Sequence, residues 1–277
     1  MNQPPFRPVV AFMTDFGYGD GDVGVMKGVV LGIAPDAQLV DITHSVAPQN
    51  VASAAWILAA SYRYFPKKTV YTCVVDPGVG SSRRPIALSA GDWLFVGPDN
   101  GLFSYVLAEQ TLHEAVELVN PAYRLPQISS TFHGRDIFAP ASAHLARGVA
   151  LSDLGPRLAP SDLYRLDLAL AVRRDEHLEA RVLHVDNFGN LITNIPLSLV
   201  PDLFTCRAVR LEFPAHNHVL TERRRFFADL PDNDEQEARP FIYADSSGYV
   251  GIAVRNGNAA RTLHIGYGEI IIGTIEK

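Results

Sequence analysis

Three stretches of the chain place carboxylates, arginine and histidine at spacings that could do chemistry. In "VVDPGVGSSRR", residues 74–84, Asp76 ends an apolar run, and Pro77, Gly78 and Gly80 separate it from Arg83. Pro77 fixes one dihedral and the glycines permit positive φ or close backbone approach, so the loop can fold Arg83 back toward Asp76. Asp-Pro-Gly alone is most often a plain turn. Two glycines between a strand-end carboxylate and an arginine raise the weight of a catalytic pair. A phosphate loop is disfavoured, because the Gly-x-x-x-x-Gly-Lys-Ser/Thr spacing and its lysine are absent.

"TDFGYGDGD", residues 14–22, carries Asp15, Asp20 and Asp22 on a glycine-rich loop leading into a helix. These acids could bind a cation, cap the helix or hold sugar hydroxyls, but EF-hand spacing does not occur. "STFHGRDIFAPASAHLARG", residues 129–148, sets His133, Arg135 and Asp136 at a helix start. A histidine in such a polar turn can titrate or orient a water, whereas a lone histidine is usually structural. Arg135 reads as a partner of Asp136 or another nearby acid, and His144 as structural. "VDNFGNLITNI", residues 185–195, puts Asp186, Phe188 and Asn190 in a tight turn. An aromatic face beside an amide suits a purine ring and its edge, while the plainer reading is a hairpin turn. "ADSSGYVGIAVRNGNAA", residues 244–260, with Ser246, Ser247, Arg255 and Asn256, is similarly open. His44, His133 and the aspartates are metal-ligand candidates, but no His-Glu-x-x-His pattern anchors a site, and metal dependence is not expected.

Elements must hold these residues in place. From residue 8 to about 150, short β-branched runs alternate with longer small-residue apolar segments, the pattern of an α/β unit with a largely parallel sheet. "PVVAFMT", "QLVDIT", "TVYTCVVD", "PIALSA" and "DWLFVG" are the strand candidates. "VGVMKGVVLGIA", "VASAAWILAASYRYF", "LFSYVLAE" and "DIFAPASAHLARG" read as helices, the second begun at Asn50 and the last ending near Gly148. Asp15, His44, Asp76 and Asp99 then follow strand C-terminal ends, where open α/β sheets place ligands.

Beyond a polar, proline-containing connection the helices give way to strand-like runs: "LEARVLHVD", "LITNI", "CRAVRLEF", "RPFIYAD", "YVGIAV" and "EIIIGTIEK". They predict a smaller all-β, barrel-like or sandwich domain. The expected division is an α/β domain over residues 1–160, a linker over 161–175 and the β domain over 176–277, with residues 228–239 an exposed loop.

The 277 residues are nearly half apolar and carry a net charge of −6 without Lys/Arg clusters, which argues against nucleic acid or anionic membrane as main partner. "RRR" at 223–225 is expected on a solvated face. Cys73 and Cys206, each beside apolar residues, read as small buried side chains of a reducing compartment. The start lacks a signal-peptide pattern and no segment approaches the roughly 20 apolar residues of a membrane span, so a cytoplasmic location is expected.

Taken together, "TDFG", "MKGVV", "VDITH", "FPKKTV", "VVDPGVGSSRR", "PDNG", "TFHGRDIFAP" and "FGNLITNI" resemble, in order and across nearly the whole chain, the S-adenosyl-L-methionine hydroxide adenosyltransferases, relatives of fluorinase and chlorinase. The resemblance implies an N-terminal α/β domain, a C-terminal β-barrel, and a homotrimer with substrate sites between neighbouring subunits' domains. It implies attack of water or hydroxide on ribose C5′ of S-adenosylmethionine, giving adenosine and methionine without metal or cofactor. The family's catalytic Asp, Arg and His fall on Asp76, Arg83 and His133, which differ from the halide-using relatives. Water would be oriented and deprotonated by Asp76 and His133, with Arg83 fixing Asp76. Among binding positions, Asp15 matches the ribose hydroxyl contact, Asp20 and Asp22 lie near the methionine ammonium, and Gly134 brings backbone close to the ligand. Asp186 matches a methionine contact, Asn190 an adenine contact with Phe188 beside it, Ser246 the methionine carboxylate contact, and Asn256 completes the set. Asp22 replaces a common aromatic, Ser247 the arginine of halogenating relatives, and Arg255 a usual asparagine. The rival readings are a non-catalytic S-adenosylmethionine or adenosine sensor and a metal-dependent hydrolase.

Overall fold

The computed structural model describes residues 7–168, 170–227, 229 and 239–276. The chain groups into two compact units, Met1–Asp167 and Leu168–Lys277. No described helix is long and apolar enough to cross a membrane.

The first unit runs β1 (Val9–Thr14), α1 (Asp22–Ile33), β2 (Gln38–Thr43), α2 (Val51–Ser61), β3 (Val70–Val74), β4 (Pro85–Ala90), β5 (Trp93–Pro98), α3 (Ser104–Glu109), β6 (Leu112–Glu117) and α4 (Ala139–Ala146). Its six strands lie in the order β2-β1-β3-β5-β4-β6. The β2/β1, β1/β3 and β3/β5 pairs are parallel, and β4 runs antiparallel to β5 and β6. β1 and β3 are buried at every residue, as strands covered on both faces must be. The period of two sends Val10 and Phe12 into one apolar cluster with Met26, Val30 and Ala143, while Ala11 and Met13 join Ala54, Leu58 and Val106 in another. Helices α1 and α4 thus cover one face, and α2 and α3 the other. Asn50 caps α2, its side chain accepting from Ser53 N–H at 2.9 Å.

The chain proceeds from β1 to β2 on one side and then to β3 on the other, which makes the β1–β3 gap the switch point of the sheet. Thr14 and Val74 are register partners at the ends of these strands. The loops carrying Asp15 and Asp76 therefore leave neighbouring strand ends, where doubly wound sheets open a crevice. Strand β6 had no counterpart among the expected strands. It lies at the sheet edge, and His113, Glu114 and Glu117 interrupt the apolar alternation by which a strand is read.

The second unit contains β7 (Val172–Arg174), β8 (His177–Val185), β9 (Leu191–Pro196), β10 (Ala208–Phe213), β11 (His218–Leu220), β12 (Pro240–Ala244), β13 (Tyr249–Val254), α5 (Ala259–Leu263) and β14 (Ile270–Glu276). Its sheet follows β11-β10-β14-β8-β9-β13-β12, with β7 beside β8, and every named pair is antiparallel. Leu178, Ala180 and Val182 of β8 and Ile271 and Ile275 of β14 point into one core. The sheet nearly closes on itself. Residues following β11 bond to β12, with Arg224 N–H donating to Ile242 C=O at 2.9 Å and Ile242 N–H to Glu222 C=O at 2.8 Å.

That closure corrects the expectation of a solvated arginine run. Arg224 is buried, pairs with Glu222 and lies 4.3 Å above the Phe241 ring, while Arg223 Nη1 donates to the carbonyls of Leu203 and Cys206 at 2.9 and 3.1 Å. A strand-like segment turns alternate side chains inward, and an aromatic face with a carboxylate makes burial of the guanidinium tolerable. Both cysteines are free and buried. Of the expected loop, residues 228 and 230–238 lie outside the described residues.

Candidate active site

The loop after β3 is two successive turns. Val79 N–H donates to Asp76 C=O at 3.2 Å, and Ser81 donates to Gly78 C=O through N–H at 3.1 Å and Oγ at 2.6 Å. Gly80 has φ +76°, and a Cβ there would stand 2.4 Å from Ser130 C=O. Only glycine lets the loop press this closely on the segment that leads to His133.

That segment is itself folded around Asp136. The Asp136 carboxylate is buried and accepts from Ser129 N–H at 2.7 Å and from Arg135 at 2.6 and 3.1 Å. Burial pushes its pKa up, but the hydrogen bonds from Arg135 and Ser129 outweigh this and hold it below the ordinary carboxylate value. α4 is preceded by a π-helical turn over Gly134–Phe138, in which Ala139 N–H reaches back to Gly134 C=O. Such turns re-aim side chains and recur at functional sites. Gly134 is buried, and a Cβ there would meet Met26 Sδ at 3.0 Å, so its small size also lets this turn pack on α1.

Asp76, Arg83 and His133 meet as one group. Arg83 Nε donates to both Asp76 oxygens, at 2.9 and 3.0 Å, and Nη2 donates to Asp76 Oδ2. The same Nη2 lies 2.9 Å from His133 Nδ1. Both charged side chains are nearly enclosed, Arg83 at 9% and Asp76 at 5% exposure, and the guanidinium carbon lies 5.2 Å from the Phe138 ring centroid. Burial, and then the Arg83 charge, hold the His133 pKa below its ordinary value, against an opposing pull from Asp76. A guanidinium can only donate, so His133 Nδ1 accepts from it, and the neutral imidazole carries its proton on Nε2.

Asp15 follows β1 and is anchored by Gln49 N–H, which donates to its Oδ2 at 2.8 Å. Asp20 and Asp22 are exposed, and Asp22 sits in the first turn of α1, where a carboxylate complements the helix dipole. Two other strand-end candidates have structural partners. Asp99 binds Arg84 at 2.6 Å and the Tyr164 N–H at 2.9 Å, while His44 is buried against Thr14 and Asp41. His144 packs edge-on against Tyr123, and burial holds its pKa down.

In the second unit the Asp186–Asn190 turn has the plainer conformational role as well. Asp186 accepts from Phe188 N–H at 2.9 Å, from Asn190 N–H at 2.8 Å and from the Asn190 amide at 2.8 Å. These bonds commit its carboxylate to shaping the turn. Phe188, Asn190 and Asn256 line one cleft of about 410 Å³, with Phe227, Val254 and Gly257. Phe227 was absent from the expected set, because an aromatic beside a long polar loop gives no spacing signal. Ser246 is exposed at the β12–β13 turn, which Asp245 holds by accepting from Ser247 N–H at 2.8 Å. Among the described residues no group of three or more His, Cys, Asp or Glu is arranged to hold a metal ion.

Residues 10–155 match the SAM hydroxide adenosyltransferase N-terminal domain and residues 180–272 the C-terminal domain of the same family. A (R)-S-adenosyl-L-methionine hydrolase of Salinispora arenicola is 40% identical over 95% of this chain and 96% of its own length. One of Thermus thermophilus is 38% identical over 93% and 95%. A solved structure of a conserved protein from Thermotoga maritima superposes with a TM-score of 0.87 at 36% identity, covering 96% of this chain and 99% of its own. With both family domains matched in order, and with full-length relatives at this identity, the chain belongs to the SAM hydroxide adenosyltransferase family.

Proposed function

We propose that this protein hydrolyses S-adenosyl-L-methionine to adenosine and L-methionine, with the (R)-sulfonium epimer as the substrate suggested by the names of its relatives. The observation that carries the mechanism is the Arg83 bridge between Asp76 and His133. Water oxygen attacks ribose C5′, the C5′–S bond breaks, and its electron pair leaves with methionine as a neutral thioether. The water proton passes to Asp76 and then to solvent. Because Arg83 occupies His133 Nδ1, His133 serves as an Nε2–H donor that orients the water, and proton acceptance falls to Asp76 alone. This narrows the expectation that both residues share the deprotonation.

A nearly enclosed carboxylate also repels halide while it accepts a hydrogen bond from water, which favours water as nucleophile. Proximity and a preorganised, water-poor pocket supply the remaining acceleration. Asp15 holds the ribose diol, Asp20 and Asp22 lie toward the ammonium, and Gly134 brings backbone close to the ligand. Phe188, Asn190 and Asn256 receive adenine. Asp186 acts through the turn that aims Asn190, and Ser246 meets the methionine carboxylate. No metal or cofactor takes part. A homotrimer and a cytoplasmic location belong to the same reading and rest on the family resemblance.

Incubation of the purified protein with the (R)-sulfonium epimer should release adenosine and methionine in equal amounts, unchanged by a chelator or by added chloride or fluoride, and the (S) epimer should react more slowly. Nucleoside binding without products would favour the sensor, chelator sensitivity a metal-dependent hydrolase, and a halogenated nucleoside another nucleophile. The pH profile tests the His133 assignment. Protonation at Nδ1 would set a proton against the Arg83 N–H, and burial with the Arg83 charge lowers the pKa, so the neutral donor persists as pH falls to 6.5. The acid limb attributable to His133 should therefore be centred below pH 6.5. A limb centred above that value and abolished by His133→Gln would contradict the assignment.

A further inference from the structure

We propose that His44, acting through Thr14, is a positioning residue for substrate affinity: it locks the turn that presents Asp15. The inference rests on the reading that Asp15 holds the ribose diol. Behind that turn lies a polar chain, exposed at Asp41 and buried at His44 and Thr14, that the hydrolytic chemistry does not use. Lys27 Nζ lies 2.6 Å from Asp41 Oδ2, and His44 Nε2 lies 3.0 Å from Asp41 Oδ1, somewhat off the line of a full hydrogen bond. His44 Nδ1 is 2.8 Å from Thr14 Oγ1, and Phe16 N–H donates to that same oxygen at 3.2 Å. His44 and Thr14 are fully buried, and the Tyr18 ring meets the His44 ring edge-on.

The direction of every proton in this chain follows from its ends. A carboxylate cannot donate, so in the neutral imidazole a proton on Nε2 facing Asp41 is the favoured arrangement, and Nδ1 then accepts. The Thr14 hydroxyl therefore donates to His44 and keeps its lone pairs for the Phe16 N–H. The backbone is tied a second time, since Gly17 N–H donates to His44 C=O at 2.7 Å. Gly17 has φ +71°, which completes the reversal. Residues 14 and 17 are thus fastened to His44 directly and residue 16 through Thr14, and the residue among them is Asp15. Its Oδ2 is taken by Gln49 N–H, which leaves Oδ1 as the freer oxygen toward a ligand.

A side chain whose flanking backbone is tied down on both sides loses little freedom when substrate binds, and that saving appears in affinity, not in the bond-breaking step. Thr14→Val keeps the shape and removes the hydroxyl. Loss of a single intramolecular hydrogen bond should raise KM for S-adenosylmethionine about 2–13-fold while kcat stays within about 2-fold. Thr14→Ser should restore KM. The experiment measures kcat, KM and the melting temperature of the full-length protein for these two variants and for Asp15→Asn. If Asp15→Asn raises KM and Thr14→Val does not, the inference is overturned while the ribose role of Asp15 stands. If neither moves KM, the Asp15 reading fails and takes the inference with it. A Thr14→Val effect confined to melting temperature, or one that lowers kcat as much as it raises KM, would make the chain merely structural and overturn the proposal. Should Thr14→Val fail to fold, His44→Phe removes the same acceptor and is held to the same split.

Discussion

Asp76→Asn is expected to lower the rate of adenosine formation about 10²–10⁴-fold, the range that a positioned proton acceptor contributes. The substitution keeps the shape of the side chain and removes its basicity. Neutral water is a poor nucleophile, and with His133 Nδ1 committed to Arg83 there is no second base within the group. The amide also replaces one accepting oxygen with a donor beside a guanidinium that can only donate, so one of the present Arg83–Asp76 contacts must open. KM should rise less than kcat falls, because acceptance of the water proton belongs to the transition state alone, whereas only the attraction for the sulfonium is lost from ground-state binding. Single-turnover measurement of adenosine and methionine separates chemistry from product release. A variant that releases both at the full rate would remove Asp76 from the mechanism.

Much of the fold was legible because apolar residues recur with the period of the element that buries them. β1 and β3 are continuous apolar runs covered on both faces, and β8 and β14 alternate cleanly over a barrel interior. β6 was not legible, since an edge strand tolerates His113 and two glutamates. Nor was the barrel closure, whose signal is a bridge between Arg223 and Ile242 through a segment that reads locally as a charge run. In the site, the Asp76–Arg83 pair could be anticipated from two glycines and a seven-residue separation. Which nitrogen of His133 faces Arg83 could not, because it depends on contact between loops fifty residues apart, made possible by the close approach of Gly80 to Ser130. Asp136 was read as a neighbour of Arg135; its larger part is to gather the Ser129 backbone and fix the loop that delivers His133. Composition and spacing suggested a carboxylate–arginine site. The family resemblance, and not those patterns, pointed to the substrate.

Arg83→Met should damage stability and turnover together, since one guanidinium serves both partners. Removing it leaves a nearly enclosed Asp76 without its cation and His133 Nδ1 without its donor. Breaking a buried pair from one side costs about 3–5 kcal/mol, which for a unit of this size corresponds to a melting temperature lower by about 10 °C. Arg83→Lys separates the two effects. A lysine keeps the positive charge beside Asp76, but its single nitrogen cannot reproduce a fork whose Nε and Nη2 bind Asp76 while Nη2 also reaches His133. Melting temperature should therefore recover further than kcat does. If the three residues act as a unit, the Asp76→Asn/Arg83→Met double variant should be about as slow as the slower single variant, as expected for groups that are useful only together. Multiplication of the two single losses in the double variant would show that Asp76 and Arg83 act independently, and the bridge would then be a structural contact beside the chemistry, not its organising element.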